Sequence, residues 1–218
     1  PMKATLRRTL LTAAIALATT QALTQPTDSP FTQAIFFGDS LTDGGFFRSL
    51  LPPSVQNVTG QFTTNPGFVW SQYLADYYDS NANVAWKATG ATPLLSDGNN
   101  WAVGGARTGT DSVGALGYTP SLASQYRAYL ASGHAVDPNA LYTVWGGAND
   151  LFAVQANPAQ AQAIIGGAVT AQIGLVGALT QAGAQYILVP TIPDLGLTPS
   201  SRAGGAVAMA QGTALTTR

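Results

Sequence analysis

Three short turns, each flanked by glycine, hold the residues whose chemistry can be combined. They are Gly38-Asp39-Ser40-Leu41, Gly104-Gly105 and Gly147-Ala148-Asn149-Asp150. Each follows a short apolar run: AIFF at 34–37, NWAV at 100–103 and LYTVW at 141–145. A hydroxyl, a glycine-rich backbone and a side-chain amide are the parts an acyl transfer needs. Ser40, at a point where a helix could begin, is the candidate nucleophile. Its own N–H, the N–H of Gly105 and the amide of Asn149 are candidate donors to an oxyanion. Glycine at 105 leaves the backbone open to close approach by substrate, and an amide donates without a charge that titrates. Taken singly, each residue has a plainer role: Ser40 as a helix cap, Gly105 as a turn glycine, Asn149 as a cap or turn residue.

The elements that must position these turns alternate in type. AIFF reads as a strand buried on both faces, as in parallel sheets. NWAV and LYTVW read as two more strands, and YILV at 186–189 as a fourth. Between them, 67–78, 121–132, 158–182 and 205–215 carry helical spacing. Asn65-Pro66 marks one start and Gly133 one stop. Residues 46–66, rich in Pro, Asn, Thr and Gly, read as a long loop. The pattern predicts an α/β fold with right-handed crossovers and helices on both faces of a parallel sheet. Ligands of such sheets sit outside the carboxyl ends of the strands, where all three turns fall. The long apolar pattern at 158–182 contains Gln, Thr and Gly, and reads as a crossover helix rather than a membrane span. The helix at 205–215 would ordinarily lead to another strand, so the domain reads as lacking its last strand and helix.

Phe37-Gly38-Asp39-Ser40-Leu41-Thr42-Asp43 resembles the first block of the GDSL, or SGNH, hydrolases. Asn100 to Ala106 resembles their second block, with Gly105 at the glycine position. Gly147-Ala148-Asn149-Asp150 resembles their third, with Asn149 at the asparagine position. The resemblance implies a flavodoxin-like, three-layer α/β/α sandwich that hydrolyses carboxylic esters, of lipids or of short acyl chains, with no cofactor and no metal. The composition and leader resemble the subgroup exported as autotransporter passengers. The family's last block supplies an Asp and, three residues on, a His that acts as base. No Asp-x-x-His occurs here: Asp194 is followed three residues on by Leu197. The one histidine, His134, falls between a helix and LYTVW, near the opposite edge of the sheet. The expectation is therefore an exported esterase represented without its base block. Its rivals are a catalytically silent surface module and an acyltransferase on the same site.

Composition supports export and excludes other classes. Of 218 residues 46% are apolar and only 9% charged, which excludes a disordered charged tail and a Glu/Lys coiled coil. Nine Lys plus Arg against ten Asp leave no basic excess, so nucleic acid is not an expected partner. Lys3, Arg7 and Arg8 precede a short apolar run ending in small residues. This predicts a signal peptide over 2–22, cut after Ala18 or Ala22, a linker over 23–32 and the hydrolase domain over 33–218. Cutting removes three cations and leaves six against ten Asp, a net charge of −4. The expected location is secreted, cell-surface or outer-membrane, with a membrane anchor beyond Arg218. Without cysteine there is neither a disulfide framework nor a thiolate metal site. Asp39, Asp43 and Asp150 read as loop braces or caps, and Arg107 as a surface residue. Phe46, Phe47, Phe62, Phe68 and Trp70 read as core, with an acyl pocket as the alternative.

Overall fold

The computed structural model describes residues 29–56, 60–63, 67–89 and 92–217. The leader expected over 2–22, most of the linker and Asn65-Pro66 lie outside the described residues.

The centre is a parallel sheet of β1 (Ala34–Gly38), β6 (Leu141–Trp145) and β7 (Tyr186–Leu188), in the order β1-β6-β7. Two short antiparallel hairpins lie outside it, β2 (Trp86–Lys87) with β3 (Leu94–Leu95), and β4 (Ser112–Gly114) with β5 (Gly117–Thr119). NWAV is not a regular strand, although it runs beside β1. The N–H groups of Trp101 and Val103 donate to the carbonyls of Phe36 and Gly38 (2.8 and 3.1 Å), and Phe36 N–H donates to Asn99. Its ladder breaks where the Gly38 N–H goes to Gln125 Oε1 and the Trp101 carbonyl accepts from Trp86 Nε1, instead of bonding each other. The sheet edge of 83–85 is joined to it by parallel bonds at Asn100.

Alternation along β1 divides the core. Ile35 and Phe37 point to one face, with Trp101, Val103, Tyr142 and Val144. That face is covered by α3 (Leu122–Ala131), through Leu122, Tyr126 and Tyr129, and by α5 (Ala161–Gln181), through Leu175 and Leu179. Ala34 and Phe36 point to the other face with Leu141, under Ala75, Trp70 and Leu74 of α2 (Trp70–Tyr77). Ser121 caps α3, accepting from Ser124 N–H, and Gly133 ends it at φ +91°. The region 46–66 holds more structure than a loop: a 3-10 turn over Phe46–Leu50 that buries both phenylalanines, and α1 (Pro53–Gln56). After β6 come α4 (Ala148–Ala156), then α5 and β7. The chain closes with α6 (Pro199–Ala203) and α7 (Gly205–Thr216). By length and composition alone, Pro158–Gln181 could cross a membrane, with mean hydropathy 1.7. In the fold it is the crossover between β6 and β7, with Leu175 and Leu179 in the core and most of its outer surface exposed.

Candidate active site

The three turns leave neighbouring chain ends at one edge of the sheet. Gly38 lies opposite Trp145 in the β1–β6 register, and Val103 N–H bonds the Gly38 carbonyl. Ser40 is not at a helix start. The carbonyl of Asp39 accepts from the N–H groups of both Thr42 and Asp43, closing a single turn. Asp43 then diverts the chain by taking the N–H groups of Gly45 and Phe46 on Oδ1. Gly38 needs its bare Cα, since a Cβ would lie 2.7 Å from Thr42 Oγ1 and 2.9 Å from the Trp145 carbonyl.

Side chains join the turns to each other. Asp43 Oδ2 accepts the Gly104 N–H at 2.7 Å, tying the Ser40 turn to the glycine turn. Asn149 Nδ2 donates to the Ala106 carbonyl at 2.9 Å. Asp150 takes the N–H and hydroxyl of Thr108 and pairs with Arg107 Nε at 2.9 Å. Arg107, expected at the surface, is partly exposed and held by a buried carboxylate. Gly105 is exposed at φ +82°, and the nearest atom to a Cβ there would be Thr119 Cγ2 at 3.7 Å. It is the left-handed backbone, not crowding by protein, that calls for glycine. Crowding acts one residue earlier, where a Cβ on Gly104 would collide with the Phe62 ring.

Backbone accounting shows which N–H groups of the turns remain available, those of Asp39, Gly44 and Arg107 being unbonded among the described residues as well. The N–H groups of Leu41, Thr42, Asp43, Gly104, Ala106 and Thr108 are all bonded within the protein. The N–H groups of Ser40 and Gly105 have no partner among the described residues, and neither does Ser40 Oγ. Asn149 has spent one amide proton on Ala106 and keeps the other.

Two carboxylates beneath the turns are abnormal acids. Burial pushes Asp43 up to about 6, outweighing the three N–H bonds it accepts and the Arg48 charge nearby. Burial likewise raises Asp39 to about 6, reinforced by Asp150 and Asp43 and opposed by the Leu41 N–H. His134 sits elsewhere, exposed beyond the C-terminus of α3, hydrogen-bonded to Ser132 Oγ at 2.7 Å and stacked on Tyr129 at 5.0 Å. Of the aromatics read as core or pocket, Phe46 and Phe47 are buried, whereas Phe62 and Phe68 are about half exposed, at 54% and 55%.

Two positioning side chains escaped the sequence reading. Gln125, fully buried on α3, grips the Gly38 peptide from both sides: Oε1 accepts its N–H (2.9 Å) and Nε2 donates to its carbonyl (2.8 Å). Asn100 donates to the Thr42 carbonyl at 2.7 Å and to Ser71 Oγ. Each carried a signal. Gln125 is a polar residue within the stripe of Leu122 and Tyr129, and Asn100 opens an otherwise apolar run.

A parallel α/β sheet whose carboxyl edge gathers polar turns is the usual setting for an enzyme site. The chain belongs to the GDSL-like lipase/acylhydrolase family, whose model matches residues 35–215. It is 34% identical over 221 positions to the esterase EstA of Pseudomonas aeruginosa, covering 89% of this chain and 33% of that protein. It is 36% identical over 204 residues to an uncharacterized protein of the trpE-trpG intergenic region of Pseudomonas putida, covering 86% and 32%. To lipase 1 of Photorhabdus luminescens it is 33% identical over 164 residues, covering 75% and 22%. The chain therefore spans a third or less of the length of these relatives.

Proposed function

We propose that this chain carries the acylation site of a serine ester hydrolase, acting on a small-molecule or lipid ester. Ser40 Oγ attacks the ester carbonyl carbon and gives its proton to a base. The carbonyl oxygen becomes an oxyanion bonded by Ser40 N–H, Gly105 N–H and Asn149 Nδ2. Collapse breaks the bond to the alcohol, which leaves with the proton from the base, and the acyl group stays on Ser40. Water, deprotonated by the same base, then releases the acid and restores Ser40. The observation that carries this reading is that, among the described residues, the Ser40 hydroxyl and the N–H groups of Ser40 and Gly105 are unspent at turns that side chains tie together. Donors held in place before reaction stabilise the oxyanion without reorganising.

The base belongs to an Asp-x-x-His block outside these 218 residues, because His134 is the one histidine in the sequence and lies beyond the far end of α3. A further strand beside β7 and a covering helix would complete a three-layer sandwich. In support, β7 has a free edge among the described residues, and Tyr186, Leu188 and Val189 remain 41–44% exposed there. The basic, then apolar N-terminus supports secretion or surface display as an autotransporter passenger.

The test supplies imidazole as the base and p-nitrophenyl acetate as the ester. Acetylation should appear on Ser40 by peptide mass spectrometry. Ser40→Ala should abolish it, and Asn149→Ala should slow it about a hundred-fold or more. A chain not acetylated at Ser40, or a Ser40→Ala variant whose p-nitrophenolate release in excess of imidazole alone equals that of the unaltered chain, overturns the reading.

A further inference from the structure

We propose that Asp43 is a positioning residue that sets the Gly105 N–H against Ser40, by clamping the two turns together from inside. This rests on the acylation reading above.

Asp43 is completely buried, and its two oxygens divide their work. Oδ1 takes Gly45 and Phe46 in its own loop, while Oδ2 takes Gly104 in the other, all at 2.7 Å. The glycine turn has other anchors, but they lie after Gly105: Asn149 holds Ala106, and Asp150 holds Arg107 and Thr108. Before the turn, Asn100 holds the Ala102 N–H and Trp86 holds the Trp101 carbonyl, but at Gly104 itself the side-chain anchor is Asp43 alone among the described residues. Phe62 lies over Gly104 at van der Waals closeness, so the turn cannot rise without displacing that ring. A peptide unit hinged at Gly104 would swing the Gly105 N–H, and a misplacement of about 1 Å in a reacting geometry can cost a hundred-fold.

A buried carboxylate is a costly brace, since desolvation opposes its charge. No neutral side chain of the same size does the same job. An asparagine offers one acceptor oxygen and turns an NH2 toward the other N–H, so one of the two turns loses its bond and faces a donor. Retaining the charge is explained by the need to accept on both sides at once.

The experiment measures the rate of Ser40 acetylation by p-nitrophenyl acetate with imidazole, as a function of ester concentration, beside thermal unfolding. Asp43→Asn should lower the limiting rate about ten- to a hundred-fold and leave half-saturation near the wild-type value. Asp111→Asn is the control, because it removes a carboxylate that accepts four hydrogen bonds at the start of α3. It should lower the melting temperature without moving the acetylation rate. A second variant replaces the Gly104 amide N–H with an ester oxygen, deleting the bond and leaving Asp43 untouched. It should slow acetylation similarly, whether or not Asp43→Asn folds. Wild-type rates in the ester variant, or in a folded Asp43→Asn, overturn the positioning role while leaving Ser40 as nucleophile. Absence of acetylation in the unaltered chain overturns the acylation reading itself.

Discussion

Asp43 and Asp111 are the same residue type, each wrapped in hydrogen bonds, and their acidities move in opposite directions. Asp43 accepts three backbone N–H groups yet titrates near 6, because it has no access to water. Asp111, exposed at the start of α3, also meets a burial penalty. The hydroxyls of Ser121 and Ser124, the Ser121 N–H and the Tyr118 hydroxyl outweigh it and bring the acid down to about 2. The difference lies in solvent, not in the number of partners. Under the Ser40 turn, side chains are removed from water and spent on backbone. Around α3's exposed rim, they bond one another in water. The first region fixes geometry at a cost in stability, while the second adds stability and fixes little else.

Gln125 gives the largest expected effect of this contrast. Its amide takes the Gly38 N–H and adds a second donor to the Gly38 carbonyl, which Val103 N–H already bonds, so Gln125→Ala leaves a buried N–H without a partner and opens a void beside β1. The expected loss is about 2–4 kcal/mol in denaturant unfolding. Gln125→Glu should fail to restore it, since a carboxylate cannot donate to the Gly38 carbonyl. A loss under about 0.5 kcal/mol, the range of ordinary surface substitutions, would erase the distinction between the two regions.

pH sharpens the contrast next. Asp39 and Asp43 titrate near 6 in the folded chain against an ordinary 3.8. Between about 4 and 6 the folded state therefore holds protons that the unfolded chain has released, and stability must fall as pH rises through that window. The groups facing Asp43 are Arg48 and Asp39, with Asp150 beside Asp39. Asp111 works in the other direction, giving stability that is present above 3.8 and lost as pH falls toward about 2. Melting temperature should consequently peak near pH 4. Ser40 acetylation, corrected for the free-base fraction of imidazole, should decline from about pH 6 downward as Asp43 loses an acceptor. Parallel profiles for melting and acetylation would count against the division of labour.

Much of this was legible in the sequence, and the exceptions share a cause. AIFF and LYTVW became adjacent buried strands because continuous apolar runs fit only a two-sided core. The helix at 121–132 ended where Gly133 supplied a positive φ. The three turns were legible from residue type alone. Not legible was anything decided by a distant partner. NWAV lost its ladder where Trp86 took the Trp101 carbonyl, Arg107 found Asp150, and Gln125 found Gly38 across 87 positions. The acidity of Asp43 depends on burial, which no local pattern carries.

His134 gives the smallest expected effect and bears most directly on where the chemistry lies. Its imidazole stacks on Tyr129 and meets Trp101 edge-on, with Nδ1 bonded to Ser132 Oγ, all at the exposed C-terminal end of α3. The other end of the same helix approaches Gly38 through Gln125, so the length of α3 separates the ring from the Ser40 turn. Removing it deletes an aromatic contact worth about 0.5–1.5 kcal/mol beyond its buried area. The exposed face of the ring puts the expected loss for His134→Ala at the lower end, about 0.5 kcal/mol. The imidazole-dependent acetylation of Ser40 should be unchanged, and so should the slow background without imidazole. If instead that background reaction is appreciable and vanishes in His134→Ala, the histidine is reaching the nucleophile. In that case the separation between the two ends of α3 fails, and with it the assignment of the base to a block outside the chain.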